Sequence, residues 1–320
     1  MKAMNIKGII FAVILGMVLP WVLLMKTEKS MISDSTEGSV TQPQVQAYAS
    51  IMVGQSEDTA IQMDLEAYIL GVLIGEMPAG FDVQALKAQA VVARTFAIKS
   101  INTGYKHKNY DVCTDSSCCQ SFYNPDKYLS DGGSEEELNK FQTAVEDTVG
   151  QVLLYEGKLI EATYFSCSGG KTEDAKAVWG TDIPYLKALD SPGEENAAHF
   201  TDTVVFTAGE FESKIGEKLD GLPGTWIGNV TYTNGQGVAT IQIGNKTYSG
   251  TQIRKMLGLR STAFVISIVG DRVTITTKGF GHRVGMSQYG ADAMAVQGYE
   301  YKEILDYYYP GTSLSDYRQV

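Results

Sequence analysis

The chain has 320 residues, of which 44% are apolar and 20% are charged. This length and composition allow about two globular domains with buried cores. The formal net charge is −11. So acidic a protein is not expected to bind nucleic acid, because that ligand requires a basic surface.

The N-terminus carries an uncharged run from Gly8 to Met25, preceded by Lys2 and Lys7. As a helix this run is about 27 Å long, close to the ~30 Å hydrocarbon thickness of a bilayer. A cleaved signal peptide is the alternative, but no small-x-small cleavage site follows the run. The sequence therefore predicts a single-pass membrane anchor over residues 1–26, with the N-terminus in the cytoplasm and the bulk of the chain outside.

The segment after the anchor changes from a linker to a hairpin. Residues 27–46 are polar and lack periodicity, which predicts a linker. The short apolar patterns at 51–53 and 61–63 predict the two strands of a hairpin.

Two predicted helices meet near Glu76. Asp64 offers an N-cap to the first helix, and Pro78 disfavours a helical residue before it. Asp82 offers an N-cap to a second, alanine-rich helix over 83–99. Glu76 therefore lies at the break between the two helices.

The rest of the chain mixes both kinds of pattern. Helices are predicted at 131–147, 208–219, 291–297 and 301–309, and strands at 152–155, 160–165, 238–243 and 273–277. Short strands with Asn-Gly, Gly-Asn and Gly-Asp turns dominate residues 201–278. We predict an α+β fold with a helical catalytic core containing short strands, formed by residues 47–200 and 279–320. A smaller β-rich domain, residues 201–278, is inserted into it.

Glu76 is a lone carboxylate at a helix end among apolar neighbours. A solvated helix terminus is the ordinary explanation of such a residue. Proximity to the negative end of the helix dipole, with partial burial, would raise its pKa. A raised pKa is what a general acid near neutral pH needs.

Soft and borderline metal ligands are concentrated in one short segment. His107, Cys113 and Cys119 lie within 13 residues, and Cys118 precedes Cys119 directly. Such ligands suit zinc, and three of them would leave a fourth position open. No standard zinc spacing is matched, so a set containing Cys118 instead of Cys119 and a small-loop disulfide remain alternatives.

Two glycine-rich segments could line a cleft. In the first, at 166–170, Ser166 or Cys167 could be a nucleophile, but the G-x-S-x-G elbow is absent and a glycine-rich turn is the simpler interpretation. The second, at 279–290, surrounds His282 with glycines and polar residues that could hydrogen-bond sugar hydroxyls.

Together these segments resemble the stage II sporulation protein D family, also called the SpoIID/LytB family. The resemblance rests on motifs that appear in family order between about residue 48 and residue 314: GEMPAGFDVQALKAQAVVARTFA (75–97), CQSFY (119–123), YFSCSGGKT (164–172), VWG and PYL (178–186), IRKMLGLRST (253–262), GFGHRVGMSQYGADAMA (279–295) and ILDYYYPGT (304–312). Three features depart from it. Cys167 replaces a usual Thr, Arg283 replaces a usual Gly, and the Cys118-Cys119 pair is unusual.

The resemblance implies an enzyme held by one N-terminal membrane helix that acts on peptidoglycan during forespore engulfment. The implied activity is lytic transglycosylase on glycan strands stripped of peptide stems, with Glu76 as the catalytic residue. The implied partners are an engulfment amidase/endopeptidase and membrane proteins. Zinc held by His107, Cys113 and Cys119 is expected to order the loop beside Glu76 and not to activate water.

The residues expected to bind the glycan are Arg94, Ser166, Ser168, Gly169, Lys171, His282, Ser287, Gln288 and Tyr289. A zinc-dependent cell-wall amidase or peptidase, with Glu76 as its base, is the alternative activity. A non-catalytic wall-binding scaffold is the third hypothesis.

Overall fold

The computed structural model describes residues 50–55, 59–104 and 106–319 of the protein. The predicted anchor, residues 1–26, and the predicted linker, residues 27–46, lie outside the described residues. Among the helices that are described, none combines the length and the apolar character needed to cross a membrane.

The N-terminal hairpin is confirmed. Strands β1 (Ser50–Gly54) and β2 (Ala60–Asp64) pair antiparallel, with Ile51 opposite Met63. Strand β3 (Val112–Cys113) adds to β1 in parallel. This third strand fixes the position of Cys113 at the edge of the sheet.

Helices α1 (Leu65–Glu76) and α2 (Val83–Thr103) form the centre of the structure. The carboxylate of Asp64 accepts the Ala67 amide at 3.0 Å, as an N-cap does. Asp82 caps α2 in the same way. All five alanines of α2 are buried, which allows close packing against its neighbours. The helix break predicted around Glu76 is therefore present.

The helix predicted at 131–147 is wrong at its start. A short helix α3 (Pro125–Ser130) ends before the predicted segment, and helix α4 (Glu135–Glu146) begins four residues into it. Gly132 separates them with a φ of 106°, a conformation that L side chains rarely adopt. Ser134 then starts α4 with a capping box.

Small sheets hold the core segments together. Strands β4 (Gln151–Tyr155) and β5 (Lys158–Leu159) form a hairpin, and β14 (Ser313–Asp316) pairs with the other edge of β4. The strand predicted at 160–165 is wrong over most of its length, because only Tyr164 and Phe165 are extended in a ladder.

The strand β6 (Tyr164–Phe165) pairs in parallel with β13 (Met286–Ser287). Helix α8 (Gln288–Val296) begins immediately after β13. This pairing brings the 164–166 segment beside the first residue of α8, although more than a hundred residues separate them in sequence.

Residues 201–278 contain two three-stranded antiparallel sheets. One is formed by β7 (Thr201–Thr207), β11 (Ala263–Val269) and β12 (Arg272–Lys278), with β12 in the centre, and the other by β8 (Ile227–Tyr232), β9 (Val238–Ile243) and β10 (Lys246–Ser249), with β9 in the centre. Helix α6 (Ala208–Ile215) is shorter than predicted because Gly216 ends it in a left-handed conformation.

The remaining helices are α5 (Ala175–Trp179), α7 (Gly250–Leu257) and α9 (Tyr301–Tyr308). Buried apolar side chains form two clusters, one from residues 51–186 and 284–309 and one from residues 208–275. The α+β class is thus confirmed. That residues 201–278 form a separate inserted domain stays a prediction.

Candidate active site and metal centre

Glu76 is the last residue of α1, and its carboxyl group is held from three sides. The backbone N–H of Ser121 donates to Oε1 at 2.6 Å, and Nε2 of Gln288 lies 3.4 Å from Oε2. The Tyr164 hydroxyl also hydrogen-bonds the carboxyl. Three distant parts of the chain therefore converge on one carboxyl group.

Burial raises the pKa of Glu76 above its ordinary value. The hydrogen bonds from Ser121, Tyr164 and Gln288 act in the opposite direction, because they favour the ionised form. Burial is the larger effect. The group is thus suited to carry a proton at a pH where an exposed glutamate would have lost it.

A buried hydrogen-bonded chain supports the Tyr164 hydroxyl. The Gln120 side-chain amide donates to Tyr164 Oη at 3.2 Å, and its carbonyl accepts from the Tyr68 hydroxyl at 3.2 Å. Because Tyr164 Oη accepts a hydrogen bond from Gln120, the hydroxyl proton of Tyr164 is free to point at Glu76. This chain fixes the direction from which Tyr164 approaches the carboxyl.

Glu76 lines a cavity of about 450 Å³, here called the Glu76 cavity. The other residues that line this cavity with aromatic, charged, thiol or hydrogen-bonding side chains include Phe96, Lys106, Cys118, Cys119, Tyr164, Phe165, Ser166, Phe280, His282 and Gln288. Glu76 is the only carboxylate among the described lining residues. Four aromatic side chains supply apolar faces, as is common in ligand-binding cavities.

His282 contributes an uncharged imidazole to this cavity. Its Nδ1 accepts the Val284 amide at 3.1 Å, and its ring packs 5.4 Å from the Trp179 ring, centroid to centroid. Burial, reinforced by the nearby Arg254, lowers the pKa of His282 to about 4. The residue is therefore neutral near neutral pH and can act as a hydrogen-bonding group.

Four potential metal ligands meet at one wall of the cavity. One donor atom each from His107, Cys113, Cys118 and Cys119 lies within 4.8 Å of all the others. Both amides of the Cys118-Cys119 pair donate to the Asp115 carbonyl, which curls the loop so that adjacent thiols can face one centre. All four cysteines of the described chain are free thiols, so no disulfide closes this loop.

The donor set fits a tetrahedral ion such as zinc. His107 Nε2 lies 3.2 Å from Cys119 Sγ and 3.6 Å from Cys118 Sγ, and the two sulfur atoms are 4.0 Å apart. A zinc tetrahedron built from thiolates and imidazole has edges of about 3.5–3.8 Å. The predicted trio His107, Cys113 and Cys119 is thus brought together, and Cys118 joins it as a fourth potential ligand.

The predicted glycan-binding residues are divided between several places. Ser166, His282 and Gln288 line the Glu76 cavity. Ser287 is fully buried and caps α8 by accepting the Gly290 amide at 3.2 Å, so its role is to begin that helix. Tyr289 packs edge-on against Phe81 with 4.9 Å between ring centroids.

Ser168 is also fully buried. Its hydroxyl and its amide both donate to the carboxylate of Glu194, at 2.9 and 2.7 Å. The Gly169 amide donates to the same carboxylate at 3.2 Å. Gly169 and Lys171 line a different cavity, and they are not among the described residues around Glu76. The glycine-rich turn is thus wrapped around a buried carboxylate.

Arg94 does not line the Glu76 cavity. Its side chain is 0% exposed, and its guanidinium forms an ion pair with Glu66 at 2.6 Å and donates to the Gln151 carbonyl at 3.2 Å. The prediction that Arg94 binds substrate is therefore corrected. Arg94 joins α1, α2 and β4 inside the fold.

Sequence reasoning missed Tyr164, Gln120 and Lys106. Tyr164 and Gln120 stand inside the quoted motifs YFSCSGGKT and CQSFY, but nothing in their spacing marks them as partners of Glu76. Lys106 lies at the cavity wall and donates to the Cys118 carbonyl.

The fold and the site define an α+β protein with a single-carboxylate cavity beside a thiol and imidazole group. The family model described as Stage II sporulation protein (SpoIID) matches residues 54–155. Stage II sporulation protein D of Bacillus subtilis is 39% identical over 298 residues, which cover 91% of this chain and 86% of that protein.

Two further proteins are similar to this chain. Stage II sporulation protein D of Bacillus amyloliquefaciens is 40% identical over 83% of this chain and 79% of its own length. The amidase enhancer of Bacillus subtilis is 29% identical over 77% of this chain but only 40% of its own length. The chain belongs to the stage II sporulation protein D family, and this membership supports a role in sporulation.

Proposed function

We propose that the protein is a peptidoglycan lytic transglycosylase that uses Glu76 as its only acid/base. The substrate is the β-1,4 bond between N-acetylmuramic acid and N-acetylglucosamine. One observation carries the proposal: a carboxyl group with a raised pKa lines a cavity in which the described residues supply no second carboxylate. Hydrolysis by paired carboxylates needs a second acid at a defined separation, whereas a transglycosylase needs one.

The proposed reaction begins with Glu76 protonated. The acid donates its proton to the glycosidic oxygen as the bond to the muramic acid anomeric carbon breaks. The resulting carboxylate accepts the proton of the same muramic acid's C6 hydroxyl. The C6 oxygen then bonds to the anomeric carbon and closes a 1,6-anhydro ring, so no water is consumed.

The residues around Glu76 can stabilise its side chain after the proton has been donated. The donors from Ser121, Gln288 and Tyr164 can stabilise the carboxylate formed in the middle of the reaction. Acid/base catalysis of this kind contributes about 10²–10⁴-fold to a rate. The rest would come from holding the sugar, for which neutral His282 and the aromatic faces of the cavity are suited.

A metal ion would have a structural role. His107, Cys113, Cys118 and Cys119 would hold it, and with four protein ligands such a site is closed to water and substrate. When bound, the ion would supply order to the loop that ends at Ser121, beside the Glu76 carboxyl. This closed ligand set disfavours the alternative of a zinc-dependent amidase or peptidase, which requires an open coordination position.

We further propose the setting implied by the family. Residues 1–26 would anchor the protein in the cell membrane with residues 47–320 outside, where peptidoglycan lies. The glycan strands would be stripped of peptide stems by an engulfment amidase/endopeptidase, and membrane proteins would be further partners. The predicted division into a core and an inserted domain, residues 201–278, belongs to the same proposal.

Product analysis tests the activity. The full-length protein in detergent should release fragments with 1,6-anhydromuramic acid ends from purified peptide-free glycan, detected by mass spectrometry. Ends that have gained the mass of water would exclude the transglycosylase mechanism. Released peptides, lost on chelation, would support the amidase or peptidase alternative.

The matched variant is Glu76→Gln, which keeps the size and one acceptor oxygen of the side chain but cannot carry the proton. Its rate should fall by at least about 10²-fold, while its circular dichroism spectrum stays that of the unaltered protein. Glycan that still pellets with both proteins, without cleavage by either, would support the wall-binding scaffold.

A further inference from the structure

A second cavity, here called the lysine cavity, is lined by residues from both glycine-rich segments. Its volume is about 460 Å³, and residues that line it include Lys171, Lys278 and Arg283. Among the described residues of its lining there is no carboxylate. The charge of Arg283 is compensated by the buried carboxylates of Glu173 and Glu194. The two lysines, in a protein of net charge −11, point to an anionic ligand.

The two lysines are available to a ligand. Among the described residues no carboxylate lies within ion-pair distance of Lys278. Lys171 has one partner, Asp190, at 3.5 Å, and the carboxylate side chain there is 80% exposed. An exposed pair of this kind is weak, so a bound anion could compete for Lys171.

Arg283 contributes a buried guanidinium to the lining of the lysine cavity. The residue is 2% exposed, and its Nε and Nη2 donate to the carbonyls of Ser168, Lys171 and Gly235 at 2.6–2.8 Å. Its remaining nitrogen, Nη1, is buried without a hydrogen-bond partner. A buried donor without an acceptor is costly, so Nη1 is an unmet hydrogen-bonding group in a residue that lines this cavity.

The lysine cavity also has an apolar side. Tyr232 is 58% exposed and Val265 is 65% exposed, and both line it. A large aromatic ring beside an aliphatic side chain suits a ligand with an apolar face, such as a sugar ring. The combination of ammonium groups and an apolar platform matches a sugar that carries a carboxylate.

The two cavities share their walls. Ser166 lines the Glu76 cavity and Gly169, three residues later, lines the lysine cavity. Likewise His282 lines the first and Arg283 the second. Three residues span at most about 11 Å, so a ligand made of repeating sugars could occupy both.

We infer that the lysine cavity is a second glycan subsite that recognises the free lactyl carboxylate of a muramic acid residue remote from the bond that is cleaved. This inference rests on the proposed function for the identity of the glycan. An attached peptide stem converts the lactyl carboxylate into a neutral amide. Binding at this subsite therefore favours strands without stems.

Binding measured without turnover tests the inference. The full-length Glu76→Gln protein is titrated by calorimetry with peptide-free glycan oligosaccharides, and with the same oligosaccharides after coupling of their carboxylates to methylamine. The unmodified glycan should bind more tightly. In the same background, a combined Lys171→Gln and Lys278→Gln change should raise the Kd for it about four- to twenty-five-fold, as expected for two exposed ion pairs.

The change should leave the Kd for the amidated glycan unaltered within twofold, since that glycan has no charge to lose. Lys255→Gln is the control, because Lys255 is an exposed lysine of the same 201–278 region and does not line the cavity. Equal Kd values for the two glycans, or an equal loss on both in the double-lysine variant, would overturn the inference. Failure of the unaltered protein to cleave glycan would instead refute the proposed function and leave this binding result standing.

Discussion

Glu76 and Ser121 are joined by a 2.6 Å hydrogen bond from the Ser121 amide to the carboxyl of Glu76. Ser121 stands two residues after Cys119, so the thiol loop and the candidate catalytic acid are directly linked. The position of the acid thus depends on the order of a loop that carries three of the four potential metal ligands.

Metal analysis should find one zinc ion per chain. Cys119→Ser should lose most of it and lower the melting temperature, because a structural site contributes its binding free energy to folding. Cleavage should fall with it, since the Ser121 amide loses its fixed position. Elemental analysis and thermal unfolding measure both effects.

Cys167→Ser is the matched control for the zinc measurement. Cys167 is a buried free thiol outside the four-ligand group, so this variant should keep its zinc. A full zinc complement in Cys119→Ser would contradict the assignment of the site.

Gly75→Ala should weaken cleavage through the same hydrogen bond. A Cβ at position 75 would lie 3.0 Å from backbone atoms of Ser121 and Phe122, which would push the loop away from Glu76. Loss of the Ser121 donor would raise the pKa of Glu76 further, because that bond favours the ionised form. The expected result is a kcat reduced about tenfold or more. The alkaline limb of the pH profile should move to higher pH.

Gly80→Ala provides the comparison for Gly75→Ala. A Cβ at Gly80 meets nothing within 4 Å, and its φ is not in the left-handed region. This variant should keep its activity. A loss at Gly80 equal to that at Gly75 would show that the effect does not pass through Ser121.

The pKa of Glu76 also predicts how stability depends on pH. Burial raises the pKa in the folded protein, so the folded state keeps a proton that the unfolded state loses. The free energy of unfolding should therefore decrease as the pH rises from the pKa of Glu76 in the unfolded chain to its higher pKa in the folded protein. In Glu76→Gln this decline should be smaller, as urea unfolding at several pH values would reveal. Parallel curves for the two proteins would mean that Glu76 has an ordinary pKa.

The activity of the unaltered protein should fall over the same range. The reaction begins with the protonated acid, so kcat/KM should decrease above the pKa of Glu76 with a slope of one proton. His282, whose pKa is lowered to about 4, should not add a second transition near neutral pH.

Arg94→Met should reduce stability and spare the chemistry. Removing the guanidinium leaves Glu66 without its ion-pair partner and the Gln151 carbonyl without a donor, at a cost of about 3 kcal/mol. Because Arg94 does not line the Glu76 cavity, kcat and KM of the folded variant should match those of the unaltered protein. Denaturant unfolding and steady-state kinetics measure the two effects separately. A raised KM with unchanged stability would restore Arg94 as a substrate-binding residue.

The sequence predicted the elements around Glu76 with good precision. The caps at Asp64 and Asp82 and the stop before Pro78 are local effects, since each concerns a backbone group within a few residues. The strand at 238–243 was predicted to the residue for the same kind of reason. The strand at 160–165 failed because its pairing partner, at 286–287, is remote in sequence.

The candidate site was only partly predictable. Motif resemblance selected Glu76, and the spacing of soft ligands drew attention to His107 and the cysteines. Ser168, Ser287 and Arg94 are polar residues of the same motifs, yet all three are buried within the fold. A motif records which residues occur together and does not tell which of them face a cavity.

The sequence by itself therefore determined the helix ends, the β-rich character of residues 201–278 and the family. Tertiary structure alone decided that Tyr164, Ser121 and Gln288 surround Glu76, that Cys118 joins the potential metal ligands, and that Lys171 and Lys278 share a second cavity. The reason is physical. Capping and turn formation act over a few residues, whereas burial and the pKa of Glu76 depend on which distant segments pack together.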